Sequence, residues 1–436
     1  MAPSRGNVEI AAEQGLTLLH SMPSRDEDWG RHATGWAIYL FRARLCRRDC
    51  PAPPRVPFRV PMIPLPRHTL LRPDGRHVLV YGELRGALPA NAPRSEPTAL
   101  HMRFDAITAS WVAVSPARNT RPHSSAPSGS GTVPGSPAAR NRCPLCPGGP
   151  ELPFSYEAAV FDNRFPSFVP EPPPVGDGPW LAPSVGRCEV VLYTEQHAGN
   201  FATLTPAETA RVIAVWRDRS ADLWADPRHA FVMAFENRGD AIGATLSHPH
   251  GQIYAFGHLP PTIERRVAAL ADGRARTGGC VSCAVVAEQL ASERTVAQND
   301  HFAVGVPFAA RWPYEVHVRA IRHGLGRLTD LEPAEQRALA AALHDVVERY
   351  NRLFGFELPY MMVVHEAPAG SPDWHLSCEF FPPHRSERLT KVRASVETAT
   401  ALFINDTLPE ASAARLAALP VVPREEHEPF VVEPVA

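Results

Sequence analysis

The sequence is almost without lysine and poor in cysteine. Only one of its 44 basic residues is a lysine, Lys391, and a coding bias towards arginine would explain the shortage but not the position of the exception. The 8 cysteines among 436 residues are too sparse for a disulfide-stapled fold. We therefore expect thiols or metal ligands in a reducing cytoplasm.

Other absences exclude whole classes of protein. The formal net charge of -2 argues against binding of nucleic acid or anionic membranes by bulk electrostatics. No apolar run reaches the ~18–20 residues of a transmembrane helix, and the first ten residues lack the apolar stretch of a secretory signal. With 44% hydrophobic residues, the chain has ample material for the cores of two domain-sized units.

Composition and hydrophobic period divide the chain into four parts. Residues 1–65 show no clear period and are expected to be disordered, or to precede the true translation start. We expect a first half over 66–260, a second half over 261–405, and a C-terminal helix and tail over 406–436. The Ser/Pro/Gly-rich stretch 115–142 in the first half is expected to be a long loop.

The two halves repeat the same order of helix-start and strand signals. Leu204-Thr-Pro-Ala-Glu predicts the start of a helix, with an N-cap, a proline in the first turn and a capping-box acid. Leu331-Glu-Pro-Ala-Glu predicts a second helix 127 positions later. The same offset pairs three residues of a His-rich strand with residues of the second half: His248 with His375, His250 with Ser377 and Gln252 with Glu379. We infer an internal duplication whose second copy is altered.

The string His248-Pro-His-Gly-Gln252 carries the first chemically capable side chains. Residues two apart on a strand face the same side, so His248, His250 and Gln252 are expected to line one surface unless Pro249 or Gly251 bulges the strand. A neutral imidazole is a competent nucleophile towards phosphorus when an acceptor holds its other ring nitrogen. An amide donates to the phosphoryl oxygen on which charge builds. The alternative is a polar strand face without a catalytic role.

Two Cys-x-x-Cys pairs form the second group of candidates. Cys143-Pro-Leu-Cys146 has the spacing of a zinc knuckle, for which His197 and His248 are candidate further ligands. A redox pair or plain buried thiols remain the alternative. Cys280-Val-Ser-Cys283 stands at the start of a helical stretch without evident partner ligands, so we expect structural thiols there.

Five longer strings stand out: Phe161-Asp-Asn-Arg-Phe165-Pro-Ser-Phe168, Phe235-Glu-Asn-Arg-Gly239, Ser247-His-Pro-His-Gly-Gln-Ile-Tyr254, Ala309-Ala-Arg-Trp-Pro-Tyr-Glu315 and Phe403-Ile-Asn-Asp-Thr-Leu-Pro409. Together they resemble the galactose-1-phosphate uridylyltransferases, a branch of the histidine triad superfamily, over roughly residues 70–410. The resemblance implies an α+β fold: an internally duplicated, histidine-triad-like half-barrel of mainly antiparallel sheet, flanked by helices.

The resemblance also implies a reaction. A nucleotidyltransferase of this family moves UMP from UDP-glucose to galactose 1-phosphate and yields UDP-galactose and glucose 1-phosphate. The implied mechanism is ping-pong, through a covalent UMP intermediate on His250, with Gln252 holding a phosphoryl oxygen. A second hypothesis keeps the nucleophile but makes the protein an ADP-sugar or dinucleoside-polyphosphate phosphorylase. A third is a zinc-stabilised nucleotide-binding module without turnover.

Further roles come from the resemblance, residue by residue. It implies a structural zinc on Cys143, Cys146, His197 and His248. The implied substrate-binding residues are Arg118 and Arg121 at phosphate or the loop that covers it, Phe161, Asn163 and Phe165 around the uridine, Thr245 at the phosphates, Asn237 at phosphate or ribose, and Lys391 and Glu397 at the hexose phosphate and the sugar hydroxyls. In the family, the segment around Lys391 crosses a subunit interface, so a homodimer is implied.

One family feature is altered in this chain. Some relatives hold a second metal with one Glu and three His. Here His365 matches one histidine, but Ser377 and Glu379 stand at the other two and Arg266 stands at the Glu. We therefore do not expect a second metal in that form, and a polar strand face is the plainer interpretation of these residues. The alternative is a metal held by His365 with His375 or Glu379.

Overall fold

The structure is a computed structural model, and it describes residues 62–89, 99–120, 143–244 and 246–435. The expected disorder or late start of the N-terminal extension concerns residues that lie almost entirely outside this description. Most of the expected loop 115–142 also lies outside it. The first residues of that stretch, Pro116–Thr120, form a short 3-10 helix.

The described residues form strands and helices in mixed order. The strands are β1 Ile63–Leu71, β2 His77–Tyr81, β3 His101–Asp105, β4 Ser110–Val114, β5 Ala158–Asp162, β6 Leu181–Ala182, β7 Gly186–Leu192, β8 Phe231–Arg238, β9 His250–Phe256, β10 Thr295–Gln298, β11 Phe302–Gly305, β12 Val316–Ala320, β13 Tyr360–His365, β14 Ser377–Phe381 and β15 Phe430–Pro434. The α-helices are α1 Pro206–Ala225, α2 Pro261–Thr277, α3 Val281–Ala291, α4 Pro333–Leu353, α5 Ser395–Thr400 and α6 Pro409–Ala417.

The main sheet shows the duplication directly. Its strand order is β10-β11-β12-β14-β13-β8-β9-β7-β5-β2-β1-β15, while β3, β4 and β6 form a small separate sheet. Read outward from the central β13–β8 pair, β8-β9-β7-β5-β2 on one side matches β13-β14-β12-β11-β10 on the other. Apart from the parallel β1–β15 pair, the strand pairs of the main sheet are antiparallel. The expected α+β architecture with a large antiparallel sheet is confirmed.

The paired helix starts fold as the sequence predicts. The Thr205 hydroxyl accepts a hydrogen bond from the main-chain N–H of Glu208 at 3.2 Å, and the Glu208 carboxylate accepts from the Thr205 N–H at 2.8 Å. At α4 the Glu335 carboxylate accepts from the Glu332 N–H at 2.8 Å. These bonds satisfy N–H groups that a helix start otherwise leaves without partners.

The alternation of β9 separates the packed face of the sheet from the chemical face. Ile253 and Ala255 join the large apolar core that α1 and α4 cover. His250, Gln252 and Tyr254 point to the opposite face, because side chains alternate along a strand. The two long helices α1 and α4 therefore lie on the face opposite the nucleophile candidate, while α2 packs beside Phe231 and Phe256 on the same face as His250.

Candidate active site

His250 begins β9 and pairs with Leu192 at the end of β7. Its ring atom Nδ1 lies 2.7 Å from the main-chain oxygen of His248. A carbonyl only accepts hydrogen bonds, so Nδ1 carries the proton and Nε2 presents a lone pair. Burial lowers the pKa of the His250 imidazole below its ordinary value, which keeps the ring neutral at pH 7. This is the acceptor-held, neutral imidazole that a nucleophilic role requires.

His248 departs from the sequence expectation. The strand starts at His250, so His248 does not share its surface with His250 and Gln252. Its side chain is fully buried, with Nε2 2.9 Å from the main-chain oxygen of Thr194 and Nδ1 3.5 Å from Cys146 Sγ. Burial lowers the pKa of His248 to about 3, so the ring is a neutral ligand.

The first Cys-x-x-Cys pair belongs to a buried cluster of four donors. Cys143, Cys146, His197 and His248 each place one ligand atom within 4.8 Å of the others. His197 Nδ1 lies 3.2 Å from Cys146 Sγ. Two thiols and two imidazoles, one of them oriented by a carbonyl at its second nitrogen, are the donor set of a tetrahedral zinc site. The residues fit the expected metal, and one of them, His248, stands two residues before His250 in the chain.

Gln252 is oriented by a residue from a neighbouring strand end. Asn163 follows β5, and its Nδ2 donates to Gln252 Oε1 at 3.2 Å. Asn163 Oδ1 in turn accepts from the main-chain N–H of Phe165 at 2.8 Å. With its oxygen facing Asn163, the Gln252 amide turns its NH₂ group the other way. The structure thus brings three expected site residues, Asn163, Phe165 and Gln252, together beside His250.

Arg118 joins the same group. Its guanidinium donates to the main-chain oxygen of Phe165 at 3.2 Å and to the Tyr254 hydroxyl at 3.1 Å. Asn237 is exposed near the end of β8, the strand that pairs with β9. Phe161 is 2% exposed and packs in the apolar cluster that includes Cys143 and Cys146. Arg121 and Thr245 lie outside the described residues.

Lys391 and Glu397 form a buried pair on the segment that follows β14. The Lys391 ammonium pairs with the Glu397 carboxylate and also donates to the main-chain oxygen of Ile404. β13 and β8 stand between β14 and the strand of His250. At ~4.8 Å between neighbouring strands, β14 is about 14 Å from β9. The structure pairs these two residues with each other.

The second Cys-x-x-Cys pair has candidate partner ligands that the sequence analysis did not identify, and its expected role as structural thiols stays a prediction. Cys280 and Cys283, together with His323 and His375, place four donor atoms within 4.8 Å of one another. A signal for this cluster was present in the sequence, because the duplication offset places His375 opposite His248. His323 lies in a loop without a motif, so composition and period alone did not reveal it.

The residues at the altered second-metal position form an ion pair. Arg266 Nη2 lies 2.5 Å from Glu379 Oε1, and His365 Nε2 lies 3.4 Å from Glu379 Oε2. Burial alone would raise the pKa of Glu379, but Arg266 and the neighbouring histidines hold it well below its ordinary value. A guanidinium thus stands at the position for which the resemblance implies a metal-binding carboxylate in some relatives, and His375 belongs to the separate cysteine cluster.

These features define a class of protein. A duplicated antiparallel sheet presents the neutral His250, held by a main-chain carbonyl, and the Gln252 amide beside it. A Cys/His cluster that includes His248 stands two residues earlier in the chain. This is the construction of a nucleotidyltransferase of the histidine triad superfamily.

Comparison with known proteins identifies the family within that class. The models of the galactose-1-phosphate uridyl transferase N-terminal and C-terminal domains match residues 92–260 and 274–428. The galactose-1-phosphate uridylyltransferase of Thermotoga maritima is 38% identical over 325 residues, which are 73% of this chain and 98% of the relative. The enzyme of Rattus norvegicus is 30% identical over 341 residues, covering 74% and 88%. The chain belongs to the galactose-1-phosphate uridylyltransferase family and is a nucleotidyltransferase.

Solved structures agree with this assignment. A uridylyltransferase structure superposes with a TM-score of 0.64 at 30% identity, covering 73% of this chain and 97% of that one. An ADP-glucose phosphorylase from Arabidopsis thaliana, at 21% identity and a TM-score of 0.56, shares the fold. Among the described residues, none of the helices combines the length and the apolarity needed to cross a membrane.

Proposed function

We propose that this enzyme is a galactose-1-phosphate uridylyltransferase, which transfers UMP from UDP-glucose to galactose 1-phosphate through a covalent intermediate on His250. The observation that carries the proposal is the 2.7 Å hydrogen bond from His250 Nδ1 to the His248 carbonyl. It leaves Nε2 as the nucleophilic atom, on the chemical face of the sheet. The family assignment supports the choice of substrates.

The first half-reaction forms one bond and breaks one. His250 Nε2 attacks the α-phosphorus of UDP-glucose, and the bond from that phosphorus to the bridging oxygen breaks, releasing glucose 1-phosphate. The imidazole becomes positively charged as it takes the uridylyl group, and the His248 carbonyl stabilises this charge through the retained Nδ1 proton. The NH₂ group of Gln252, turned away from Asn163, donates to a non-bridging oxygen.

The second half-reaction is the same displacement in reverse. A phosphate oxygen of galactose 1-phosphate attacks the phosphorus, the bond to Nε2 breaks, and UDP-galactose leaves neutral His250 behind. His250 is the nucleophile of the first step and the leaving group of the second, and one site serves both steps because the departing glucose 1-phosphate and the attacking galactose 1-phosphate present the same phosphate group. Binding of the nucleotide falls to Arg118, Phe161, Asn163, Phe165 and Asn237, and we extend the proposal to Arg121 and Thr245.

The buried cluster of Cys143, Cys146, His197 and His248 would hold zinc in a structural role. The metal, when bound, supplies a cross-link between the knuckle and the segment that leads into β9. The chain's own contribution is orientation: His248 donates from Nε2 to the Thr194 carbonyl and directs Nδ1 at the cysteines. Reduced thiols in such clusters suit a cytoplasmic location, which we include in the proposal.

A homodimer completes the proposal. The segment that carries Lys391 and Glu397 exposes a series of apolar side chains: Leu389, Val392, Val396, Leu402, Ile404 and Leu408. Such a patch is typical of an interaction surface. We extend the proposal to a shared site, in which this segment serves the hexose phosphate of a second copy, as the resemblance to the family implies.

Mass spectrometry of the intact chain tests the proposed chemistry. After exposure to UDP-glucose we expect a mass gain of one uridylyl group, mapped to His250 and removed by galactose 1-phosphate with formation of UDP-galactose. His250→Ala should abolish the adduct, whereas His301→Ala, in the distant loop between β10 and β11, should not. An adduct formed from ADP-glucose and released by inorganic phosphate, with none from UDP-glucose, would instead establish the phosphorylase.

A further inference from the structure

We propose that Cys280, Cys283, His323 and His375 bind a second zinc ion, which clamps the second half of the fold and takes no part in uridylyl transfer. The ligand atoms are already gathered. His375 Nε2 lies 3.4 Å from Cys283 Sγ and 3.8 Å from Cys280 Sγ, and His323 Nδ1 lies 3.5 Å from Cys283 Sγ. Two thiols and two imidazoles within 4.8 Å of one another fit tetrahedral zinc.

Local geometry prepares both cysteines. Cys280 is the N-cap of α3, and its sulfur accepts a hydrogen bond from the Cys283 main-chain N–H at 3.4 Å. This turn places both sulfurs on one side of the helix start. Zinc binding replaces the proton of each thiol, and a main-chain N–H directed at a sulfur favours the thiolate that results.

The orientation of His375 provides a second, independent observation. Its Nδ1 lies 2.8 Å from the main-chain oxygen of Ala320, so Nδ1 carries the proton and Nε2 offers its lone pair to the cysteines. A metal-ligating histidine commonly donates its other N–H to a carbonyl in this way. His248 in the first cluster is held in the same manner by Thr194, with the roles of its ring nitrogens exchanged.

The duplication explains why two such clusters exist. Thr194 and Ala320, which supply the orienting carbonyls, are 126 positions apart, and so are His197 and His323. His248 and His375 are 127 positions apart. At these offsets the second half retains both histidine donors, although Ser377 and Glu379 replace the nucleophile and its amide. The metal site and the catalytic strand have therefore diverged separately.

The cluster joins three parts of the second half. Cys280 and Cys283 lie at the start of α3, His323 follows β12, and His375 precedes β14. Ser282 adds a hydrogen bond from its hydroxyl to the main-chain oxygen of Asp373 at 2.6 Å. A metal here would fix the α2–α3 turn to the sheet, about three strands from β9 and remote from His250.

The two Cys/His clusters differ in solvent accessibility, so a thiol reagent can distinguish their metal sites. Cys143, Cys146, His197 and His248 are all buried, whereas Cys280 and Cys283 are partly exposed and His323 is exposed. A thiol reagent should therefore react with Cys280 and Cys283 first and release their zinc first.

Metal analysis of the full-length protein tests the proposal. We expect two zinc ions per chain in the wild type and one in His323→Ala, with UMP-adduct formation retained; His301→Ala is the matched control and should keep both. In the wild type, titration with a thiol reagent should release zinc in two steps, and peptide mapping should find the first step at Cys280 and Cys283. This experiment needs no variant to fold.

Two results would overturn the proposal. One is a single zinc per chain in the wild type that His323→Ala leaves unchanged. The other is a Cys280–Cys283 disulfide in protein isolated under reducing conditions, which would make the pair a redox couple. Neither result affects the uridylyl adduct at His250, so the second zinc site and the proposed function are tested independently.

Discussion

The His250 side chain is held by the main chain of His248, its Nδ1 lying 2.7 Å from the His248 carbonyl oxygen. His248 itself is anchored through its side chain, in the buried cluster with Cys146. One residue therefore links the cluster to the nucleophile: the ring fixes where its backbone lies, and the backbone fixes which nitrogen of His250 is available.

This link predicts the consequence of losing the first metal site. Cys146→Ser removes the sulfur that faces both His197 and His248. We expect the rate of UMP-adduct formation on His250 to fall by at least ~10–100-fold, the range typical for loss of an outer-shell partner of a metal site, because Cys146 is a ligand itself. Rapid-quench mass spectrometry of the adduct measures it. Cys283→Ser is the matched control at the second knuckle, and equal losses in both variants would contradict the link.

Gly251 is the next test, because the backbone between His250 and Gln252 passes close to Tyr193. A Cβ at position 251 would lie 2.1 Å from the Tyr193 hydroxyl and 2.9 Å from the main-chain oxygen of Phe235. We expect Gly251→Ala to cost about 1–3 kcal/mol of unfolding free energy, as overpacking does, and to slow adduct formation. Denaturant unfolding and adduct kinetics measure the two effects.

The double variant separates the two clashes at Gly251. Combining Gly251→Ala with Tyr193→Phe removes the nearer atom but leaves the Phe235 carbonyl. Partial recovery of stability relative to Gly251→Ala is expected. A double variant as unstable as the sum of the two single variants would show that the hydroxyl is not what excludes a side chain here.

Local sequence rules account for much of the fold and part of the site. The proline and capping acids of α1 and α4, the offset of 127 and the knuckle at Cys143 can each be recognised from short stretches of sequence alone. Two features depend on strand order, which those rules do not specify. Asn163 reaches Gln252 across β7, and Arg266 on α2 reaches Glu379 on β14. The position of His323 could not be predicted from local sequence either, because it lies in an irregular loop after β12.

Glu366 predicts how stability depends on pH. Burial raises the pKa of its carboxyl to about 7, and its oxygens accept hydrogen bonds from the Ser220 hydroxyl and the Leu328 N–H. The folded state holds the proton more tightly than the unfolded state, whose value is near 4.5. The stabilising contribution is therefore complete below pH 4.5 and declines as the pH rises to about 7, by up to about 3 kcal/mol.

The variant Glu366→Gln isolates this contribution. Its amide oxygen still accepts hydrogen bonds but does not ionise, so the variant should be more stable than the wild type at pH 8 and should lose the decline between pH 4.5 and 7. Denaturant unfolding at several pH values measures the difference. Parallel pH profiles for the two proteins would show that the Glu366 carboxyl has the same pKa in the folded and unfolded states, and would contradict the prediction.

The last prediction concerns Lys391, whose ammonium has defined neighbours that make a substitution test specific. Its ammonium is enclosed by the Glu397 carboxylate and the Ile404 carbonyl, and it also faces the ring of Trp312. A planar guanidinium on a longer side chain does not fit a site built for a compact ammonium. We therefore expect Lys391→Arg to impair use of galactose 1-phosphate while UDP-glucose still forms the adduct on His250.

The two half-reactions separate this role from simple damage to the fold. Adduct formation should keep its wild-type rate in Lys391→Arg, and removal of the adduct by galactose 1-phosphate should become slow, with a raised KM for that substrate. Glu397→Gln breaks the same buried pair and serves as the matched control for stability. If Lys391→Arg slows both half-reactions equally and lowers the melting temperature as much as Glu397→Gln, then the single lysine of this chain is a structural counter-ion only. Selective loss of the second half-reaction would instead place it at the sugar phosphate.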